Sequence, residues 1–284
     1  MSARKPPTVR LRRLAKELVR LRLAAGFATH TEAAAALHMD PTTMWRLERA
    51  LTVPLKRTVL VCLELYGVKD PAEQARYLEL RTRSAELNWL APYEGTLPED
   101  YQGYINFEVD AARLNAFDAA FVPGLLQTPE YARAVIRGVH RTMPEDEVAQ
   151  RAEVRARRQE VLARKRTPLW MVIDEAILHR PVGGPEVMRA QLDALLDGDA
   201  RRVQLQVVPF GVGAHPGSQG SFVVMQFAED PDLVYIETLT GSVILESAEE
   251  VSLHSSNFEH LIALALSQAD SRKLISARRK DFAT

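Results

Sequence analysis

Asp40-Pro41-Thr42-Thr43-Met44-Trp45-Arg46-Leu47-Glu48 is the stretch on which the fold of the first third of this chain turns. It has the marks of a short helix with a defined start. The Asp40 carboxylate is placed to accept from the free N–H groups of the first turn, and Pro41 suits the first helical position. Met44, Leu47 and Leu51 recur at i, i+3 and i+7 and form one buried face. Thr42, Thr43, Arg46 and Arg49 lie off that stripe and project hydrogen-bonding groups from the other side. Trp45 is open to two readings at this stage, packing against a neighbouring helix or contacting a partner.

The flanking segments supply the rest of a small helical domain. Leu14, Leu18, Leu21 and Ala25 form an apolar stripe on a strongly basic first helix that Gly26 ends. Thr31 is the expected cap of a second helix over Glu32 to Leu37, with His38-Met39 as the turn into the third. Val53-Pro54 is the expected stop of the third. A fourth carries Val59, Leu60, Leu63 and Tyr66 inward and Gly67 at its end. Pro71 to Glu86 reads as a fifth, with Ala75 and Leu78 on one side. Short helices in this order, with polar side chains projecting from the third, fit a helix-turn-helix domain whose third helix reads base edges in DNA.

Residues 10–67 resemble the repressor-type helix-turn-helix of the lambda repressor and Cro (XRE) class. The resemblance is carried by Leu21-Arg22, Gly26, Leu37, Thr43-Met44-Trp45-Arg46-Leu47-Glu48 and Pro54. It implies DNA contacts by Thr42, Thr43, Trp45, Arg46 and Arg49. Three departures stand out. Ala28-Thr29-His30-Thr31-Glu32 replaces the Thr-Gln pair that opens the second helix in that class, His38 replaces the turn glycine, and Trp45 replaces a small residue.

Charge agrees with a nucleic-acid partner at one end of the molecule. The net charge of −1 conceals +7 over residues 1–86 and −8 over the remainder. Eight basic residues and a single acid, Glu17, fall in the first 30 positions. Arg12, Arg13 and Lys16 on the first helix are the expected sources of long-range attraction to double-stranded DNA. At 284 residues the chain is long enough for two domains. It contains no apolar run of the roughly 18–20 residues that a membrane span requires. The start, Met1-Ser2-Ala3-Arg4-Lys5-Pro6-Pro7, lacks the apolar core of a secretory signal. The single cysteine, Cys62, lies among Val59, Leu60 and Leu63 and reads as a buried thiol. A cytoplasmic, nucleoid-associated protein is the expectation.

The expected organisation is a helix-turn-helix domain over 1–87, a linker over 88–102 and a second domain over 103–284. After Gly103 a helix is expected to carry Ile105, Val109, Ala112 and Leu114 to Phe117. Thr128 caps a helix starting at Pro129, a long charged helix runs from Pro144 to Arg164, and another from Pro185 to Leu196. Leu169 to Ile173, Val203 to Val207, Ser221 to Phe227, Leu233 to Leu239 and Ser242 to Glu246 read as strands. Residues 248–280 return to a helical period, with enough apolar surface to join two subunits. The fold class is therefore an all-α N-terminal domain followed by an α+β domain with a mostly antiparallel sheet.

Val122-Pro123-Gly124-Leu125-Leu126-Gln127-Thr128, followed by Tyr131-Ala132, resembles the signature of an actinobacterial regulator family. So do Glu108 with Ala111, Arg158-Gln159, Asp174-Glu175 with Leu178, Val182-Gly183-Gly184, Gln191-Leu192, Gly220-Ser221-Phe222 and Val234-Tyr235-Ile236-Glu237. The resemblance implies a transcription regulator with a C-terminal domain of unassigned function. It also implies a small partner protein encoded by an adjacent gene, in some members as an antitoxin-like pair. A homodimer is expected, because one helix-turn-helix unit reads only a short half-site. Tyr131, Tyr235 and Glu237 are the expected polar groups of a ligand or partner pocket, because they sit in these motifs.

No catalytic constellation is legible. Asp174-Glu175 with His179 lacks the His-x-x-x-His spacing of a helical metal pair, and His254 and His260 are six apart. Gly211 to Gly220 is glycine-rich but does not lead from a strand into a helix, so a strand-to-strand loop is expected and not a phosphate cradle. The expectation is a binding protein, not an enzyme, with no cofactor and no metal.

Overall fold

The computed structural model describes residues 9–83, 86–93, 95–197, 203–238 and 241–282. The Met1–Pro7 start, Glu94 within the expected linker and Leu239 at the end of one expected strand lie outside them. The chain divides into two compact units, Met1–Asp110 and Ala111–Thr284.

The first unit is helical: α1 (Val9–Ala24), α2 (His30–Ala36), α3 (Pro41–Glu48), α4 (Lys56–Leu65), α5 (Pro71–Arg83) and α6 (Glu99–Asp110), with a 3-10 helix at Glu86–Tyr93. Leu14, Leu18 and Leu21 of α1 pack with Met44 and Leu47 of α3 and with Val59, Cys62 and Leu63 of α4, all buried. Burial pushes the Cys62 thiol up to about 12, with the Glu48 charge adding to the effect, so it stays protonated and inert. The inward residue of α5 is Tyr77, whereas Ala75 is exposed.

The helix-turn-helix is closed by a buried ion pair between α1 and α3. Arg22 donates from Nε to Glu48 Oε1 at 2.6 Å and from NH2 to Glu48 Oε2 at 3.2 Å, and its NH1 donates to the Phe27 carbonyl at 2.7 Å. Both side chains are over nine-tenths buried. Helix α3 ends at Glu48, five residues before the expected Val53-Pro54 stop. Ala50 adopts a left-handed φ of 53°, and the Leu51 N–H reaches back to the Arg46 carbonyl at 2.9 Å. That closure resembles a Schellman cap with alanine where glycine is usual. The small Ala50 side chain is buried with Leu11 and Ala15.

The stretch expected as a linker over 88–102 contains the 3-10 helix and the start of α6. Helix α6 belongs to the first unit: Arg10 pairs with Asp110 at 2.8 Å, and the Arg12 guanidinium lies 5.0 Å from the centroid of the Phe107 ring. The helix stops at Asp110. Arg113 to Phe117, expected as its continuation, form the first strand of the second unit.

The second unit is a six-stranded sheet covered on both faces. Its strands are β1 (Arg113–Asp118), β2 (Leu169–Asp174), β3 (Val203–Val208), β4 (Phe222–Gln226), β5 (Leu233–Thr238) and β6 (Gly241–Leu245), in the order β3-β2-β1-β4-β5-β6. Three of the five pairings are antiparallel. The two parallel pairings, β1 with β2 and β2 with β3, follow from their connections. Helices α7 (Pro129–Val139) and α8 (Glu145–Lys165) separate the first pair, and α9 (Pro185–Asp197) separates the second. Parallel neighbours need such crossovers. Adjacent residues go to opposite cores. Ile173 and Val207 join α7, α9 and α11 side chains, while Val172 and Val208 join Phe258 and Leu261 of α10.

The expected single helix over 248–280 is two, α10 (Ala248–Leu264) and α11 (Gln268–Asp281). The break is stitched to β3. The Leu266 N–H donates to the Val207 carbonyl at 2.9 Å, Gln206 Nε2 donates to the Leu266 carbonyl at 2.9 Å, and Ser267 Oγ caps α11 by accepting from the Asp270 N–H. None of the described helices is long and apolar enough to cross a membrane.

The Arg22–Glu48 pair generates a stability prediction. Glu48→Ala strands the guanidinium without its anion, and the expected loss for the first unit is about 3–5 kcal/mol. Replacing both residues together with Met and Leu recovers most of it. Amide exchange of α1 to α4 in the full chain measures this. Equal protection in wild type and Glu48→Ala contradicts the assignment.

Candidate nucleic-acid interface and a cavity in the second unit

The third helix is held from behind and presents a polar face outward. Asp40 Oδ1 accepts from the Thr43 N–H at 3.0 Å, the expected cap, with Pro41 at the first position. Met44 and Leu47 are buried, while Thr42, Thr43, Arg46 and Arg49 are exposed. Trp45 is half-buried and carries the Arg49 guanidinium 5.0 Å from its ring centroid. The indole therefore aims a cation. The turn between α2 and α3 puts His38 at a left-handed φ of 51°, a conformation that glycine takes without strain.

The second helix starts two residues earlier than the sequence suggests. Its cap is Thr29, not Thr31. Thr29 Oγ1 accepts from the Glu32 N–H at 3.2 Å, and Glu32 Oε2 accepts from the Ala28 N–H at 2.8 Å. This reciprocal capping box consumes the Glu32 carboxylate. The acid at this position serves the backbone and not a phosphate.

On α1 the three expected basic residues separate. Lys16 is exposed. Arg12 and Arg13 are half-buried, and Arg12 lies against Phe107 of α6. The Arg12 guanidinium is thus held against an aromatic ring of the first unit.

In the second unit the motif turn is a hydrogen-bonded hub. Tyr131 Oη accepts from the Val122 N–H at 3.2 Å, and Gln127 Nε2 donates to the Val122 carbonyl at 2.7 Å. From α8, Gln159 Nε2 donates to the Gly124 carbonyl at 3.2 Å and the Gln127 carbonyl at 2.8 Å, and Arg155 NH1 donates to Gln127 Oε1 at 2.5 Å. From α9, the fully buried Gln191 accepts from the Thr128 N–H and donates to the Leu126 carbonyl, both at 2.7 Å. The Thr128 side chain caps α7 by accepting from the Tyr131 N–H. The motif residues thus satisfy buried backbone groups at the meeting point of three helices.

One side of this turn walls a cavity of about 350 Å³, which lies between α9, β3 and α11. Leu125 and Leu126 line it from the turn, Leu195 from α9, Leu205 from β3, and Gln268, Arg272 and Ile275 from α11. The three residues expected to form a pocket do not meet there. Tyr131 is fully buried against Val122. Tyr235 is buried on β5, and Glu237 is exposed on the same strand. Strand β5 is four places from β3 in the sheet, about 19 Å away at the usual strand spacing. The sequence does not single out the α11 residues of the cavity, because the break at Ala265–Ser267 is not legible in it. With it, Gln268, Arg272 and Ile275 fall at i, i+4 and i+7 of one face.

The glycine-rich connection between β3 and β4 is packed, not a free loop. It forms two 3-10 turns, and His215 is buried with Nε2 3.3 Å from Asp174 Oδ2. A Cβ on Gly217 would stand 2.3 Å from the Phe117 ring. Neighbouring Glu175 accepts the Phe210 N–H at 2.8 Å and contacts His179 Nε2 at 3.2 Å. These two acid–imidazole pairs anchor the connection. Among the described residues no group of three or more His, Cys, Asp or Glu side chains is arranged to hold a metal.

Two family matches agree with this architecture. Residues 13–76 match a helix-turn-helix domain, so the class is a helix-turn-helix protein with a second domain. Residues 101–277, more than half of the chain, match the domain of unknown function DUF5753, and the chain belongs to that family. Comparison with curated proteins and with solved structures yields no match.

Asp118, at the end of β1, generates a pH prediction. Burial pushes its carboxyl up to about 7, a Ser221 hydrogen bond opposes the shift, and the charge of Glu237 adds to it. A raised acid pKa means the folded state favours the protonated form. Its contribution is therefore full below the unfolded value near 4 and is lost as pH rises through about 7. Asp118→Asn should unfold at a higher temperature than wild type at pH 8, with the difference vanishing near pH 4. Thermal melts at both pH values measure it, and a constant difference rules out the titration.

Proposed function

We propose that this protein is a sequence-specific, DNA-binding transcription regulator of the lambda repressor and Cro type, from an actinobacterial regulator family. Its second unit is a binding module without catalytic activity. The observation that carries this reading is the exposed face of α3. Thr42, Thr43, Arg46 and Arg49 project from a helix that Met44, Leu47 and the Arg22–Glu48 pair hold in place. Short polar side chains near a helix start, followed by guanidinium groups, suit donor and acceptor patterns in the major groove. The Arg46 guanidinium makes no hydrogen bond or ion pair among the described residues. Lys16 supplies sequence-independent attraction. A homodimer on half-sites about 34–36 Å apart is the working assembly.

The second unit receives the signal in this reading, either a small molecule in the cavity or a small protein. The protein-partner version, with an antitoxin-like role and autoregulation of its own genes, draws support from the edge of the sheet. Among the described residues strand β6 pairs on one side only, and Val243 on it is exposed. Such an edge accepts an added strand. Titrating the product of the adjacent gene into the DNA complex separates the versions.

Arg46→Ala should weaken binding to the cognate site by about 1–3 kcal/mol and relax preference at one base position. Lys16→Ala should weaken cognate and scrambled duplexes alike and lower the salt slope by about 0.9. Arg12→Ala should leave that slope nearly unchanged, because its guanidinium lies on Phe107. Titrations at several salt concentrations measure all three. Equal wild-type affinity for cognate and scrambled DNA refutes the regulator reading.

A further inference from the structure

We propose that the cavity between the motif turn, α9, β3 and α11 binds an amphipathic carboxylate, an apolar body carrying a single anionic group that docks on Arg272. The proposal names the chemistry of the signal and rests, for its regulatory meaning, on the reading of the second unit as a sensor.

Size and wall chemistry set the class. A volume of about 350 Å³ lies within the usual range of about 300–1,000 Å³ for small-molecule sites. Leu125, Leu126, Leu195, Val203, Leu205 and Ile275 make most of the wall apolar, and no carboxylate is among the described lining residues. The apolar part of the ligand is taken from water by these side chains, the main source of affinity.

The polar end is set by α11. Gln268, Arg272 and Ile275 occupy one helix face at i, i+4 and i+7, so the face runs from an amide through a guanidinium to an apolar residue. Three of the four other cations of this helix are neutralised, and the fourth, Lys280, is exposed near its end: Lys273 pairs with Asp270 at 2.8 Å, Arg278 with Asp281 at 2.9 Å, and Arg279 with Asp193. Arg272 is treated differently. Its NH2 donates to the Leu196 carbonyl at 2.5 Å. That bond fixes the guanidinium at the cavity without supplying a counter-charge, and its other N–H groups have no partner among the described residues. The Gln268 amide likewise has none. A planar guanidinium beside an amide fits a carboxylate, which accepts two parallel hydrogen bonds.

The test uses the full chain and three probes: decanoate, 1-naphthylacetate and the neutral 1-naphthylacetamide. Calorimetry should give saturable binding of at least one acid at one per chain, with the amide at least tenfold weaker than 1-naphthylacetate. Decanoate and 1-naphthylacetate separate a chain-like from an aromatic body. Arg272→Gln should weaken the acids at least tenfold and the amide less than threefold. Ala194→Trp fills the cavity from an exposed position on α9 and should abolish binding of all probes without lowering the melting temperature. Absence of saturable binding by both acids at millimolar concentration overturns the proposal. So does equal affinity for acid and amide, or unchanged binding in Ala194→Trp. DNA affinity with and without the bound acid is a separate readout: an unchanged value refutes the sensor reading and leaves the cavity assignment standing.

Discussion

The helix-turn-helix of the first unit depends on one buried ion pair. Arg22 and Glu48 are each over nine-tenths buried, and taking two charges from water costs several kcal/mol per ion before any attraction is counted. Bidentate geometry and the additional Phe27 carbonyl offset that cost. The same geometry fixes direction. An apolar contact between α1 and α3 tolerates sliding and rotation, whereas a fork of two N–H groups on one carboxylate permits a single arrangement. The pair sits at the end of α3 opposite its Asp40 cap, so the helix is fixed at both ends while Thr42, Thr43 and Arg46 remain outside. The left-handed Ala50 follows directly: the chain must turn immediately after Glu48, and a larger side chain has no room beside Leu11 and Ala15.

The Val122–Thr128 turn of the second unit is held mainly by neutral amides, with one guanidinium, Arg155, on Gln127. Gln127, Gln159 and Gln191 each bridge backbone groups of the Val122–Thr128 turn. An irregular turn placed beneath three helices has buried carbonyls and N–H groups that no ladder satisfies, and each unsatisfied group costs about 1–3 kcal/mol. A glutamine carries both donor and acceptor and repairs two such defects at once without the desolvation of an ion. The turn's residue pattern and the two distant glutamines therefore form one structural requirement, although they lie up to about 70 positions apart in the chain.

What was legible in the sequence follows the same physics. Caps at Asp40 and Thr128, the helix start at Pro144, and stripes such as Leu14-Leu18-Leu21 are local and periodic, and the structure has them. Strand β1 was misread because it is central. Arg113-Leu114-Asn115-Ala116 alternates in burial, but only over four residues, and the buried Phe117 breaks the alternation by filling the other face. The α10–α11 break was missed because its cause is distant: Leu266 bonds to β3, some 60 residues earlier. The exposed face of α3 was placed correctly from spacing alone. The expected trio of Tyr131, Tyr235 and Glu237 was not brought together, since motif membership carries no information on which strands are neighbours. Tyr131 carries the motif for a structural reason, as the acceptor for the Val122 N–H.

The position of α11 ties the cavity to the junction between α9 and α11. This helix is bound to the sheet by Ser271, whose Oγ accepts the Val207 N–H at 3.0 Å, and to α9 by the Arg272 bond to the Leu196 carbonyl. The first bond is buried and leaves no freedom; the second involves an exposed guanidinium. In the proposed complex the anion takes the Arg272 N–H groups that the Leu196 carbonyl does not, so occupancy acts on the α9–α11 junction and not on the sheet. A ligand changes an equilibrium only by the difference in its affinity for the two states. In the proposed complex the junction is where that difference arises, because Arg272 is held by α9 and lines the cavity at once.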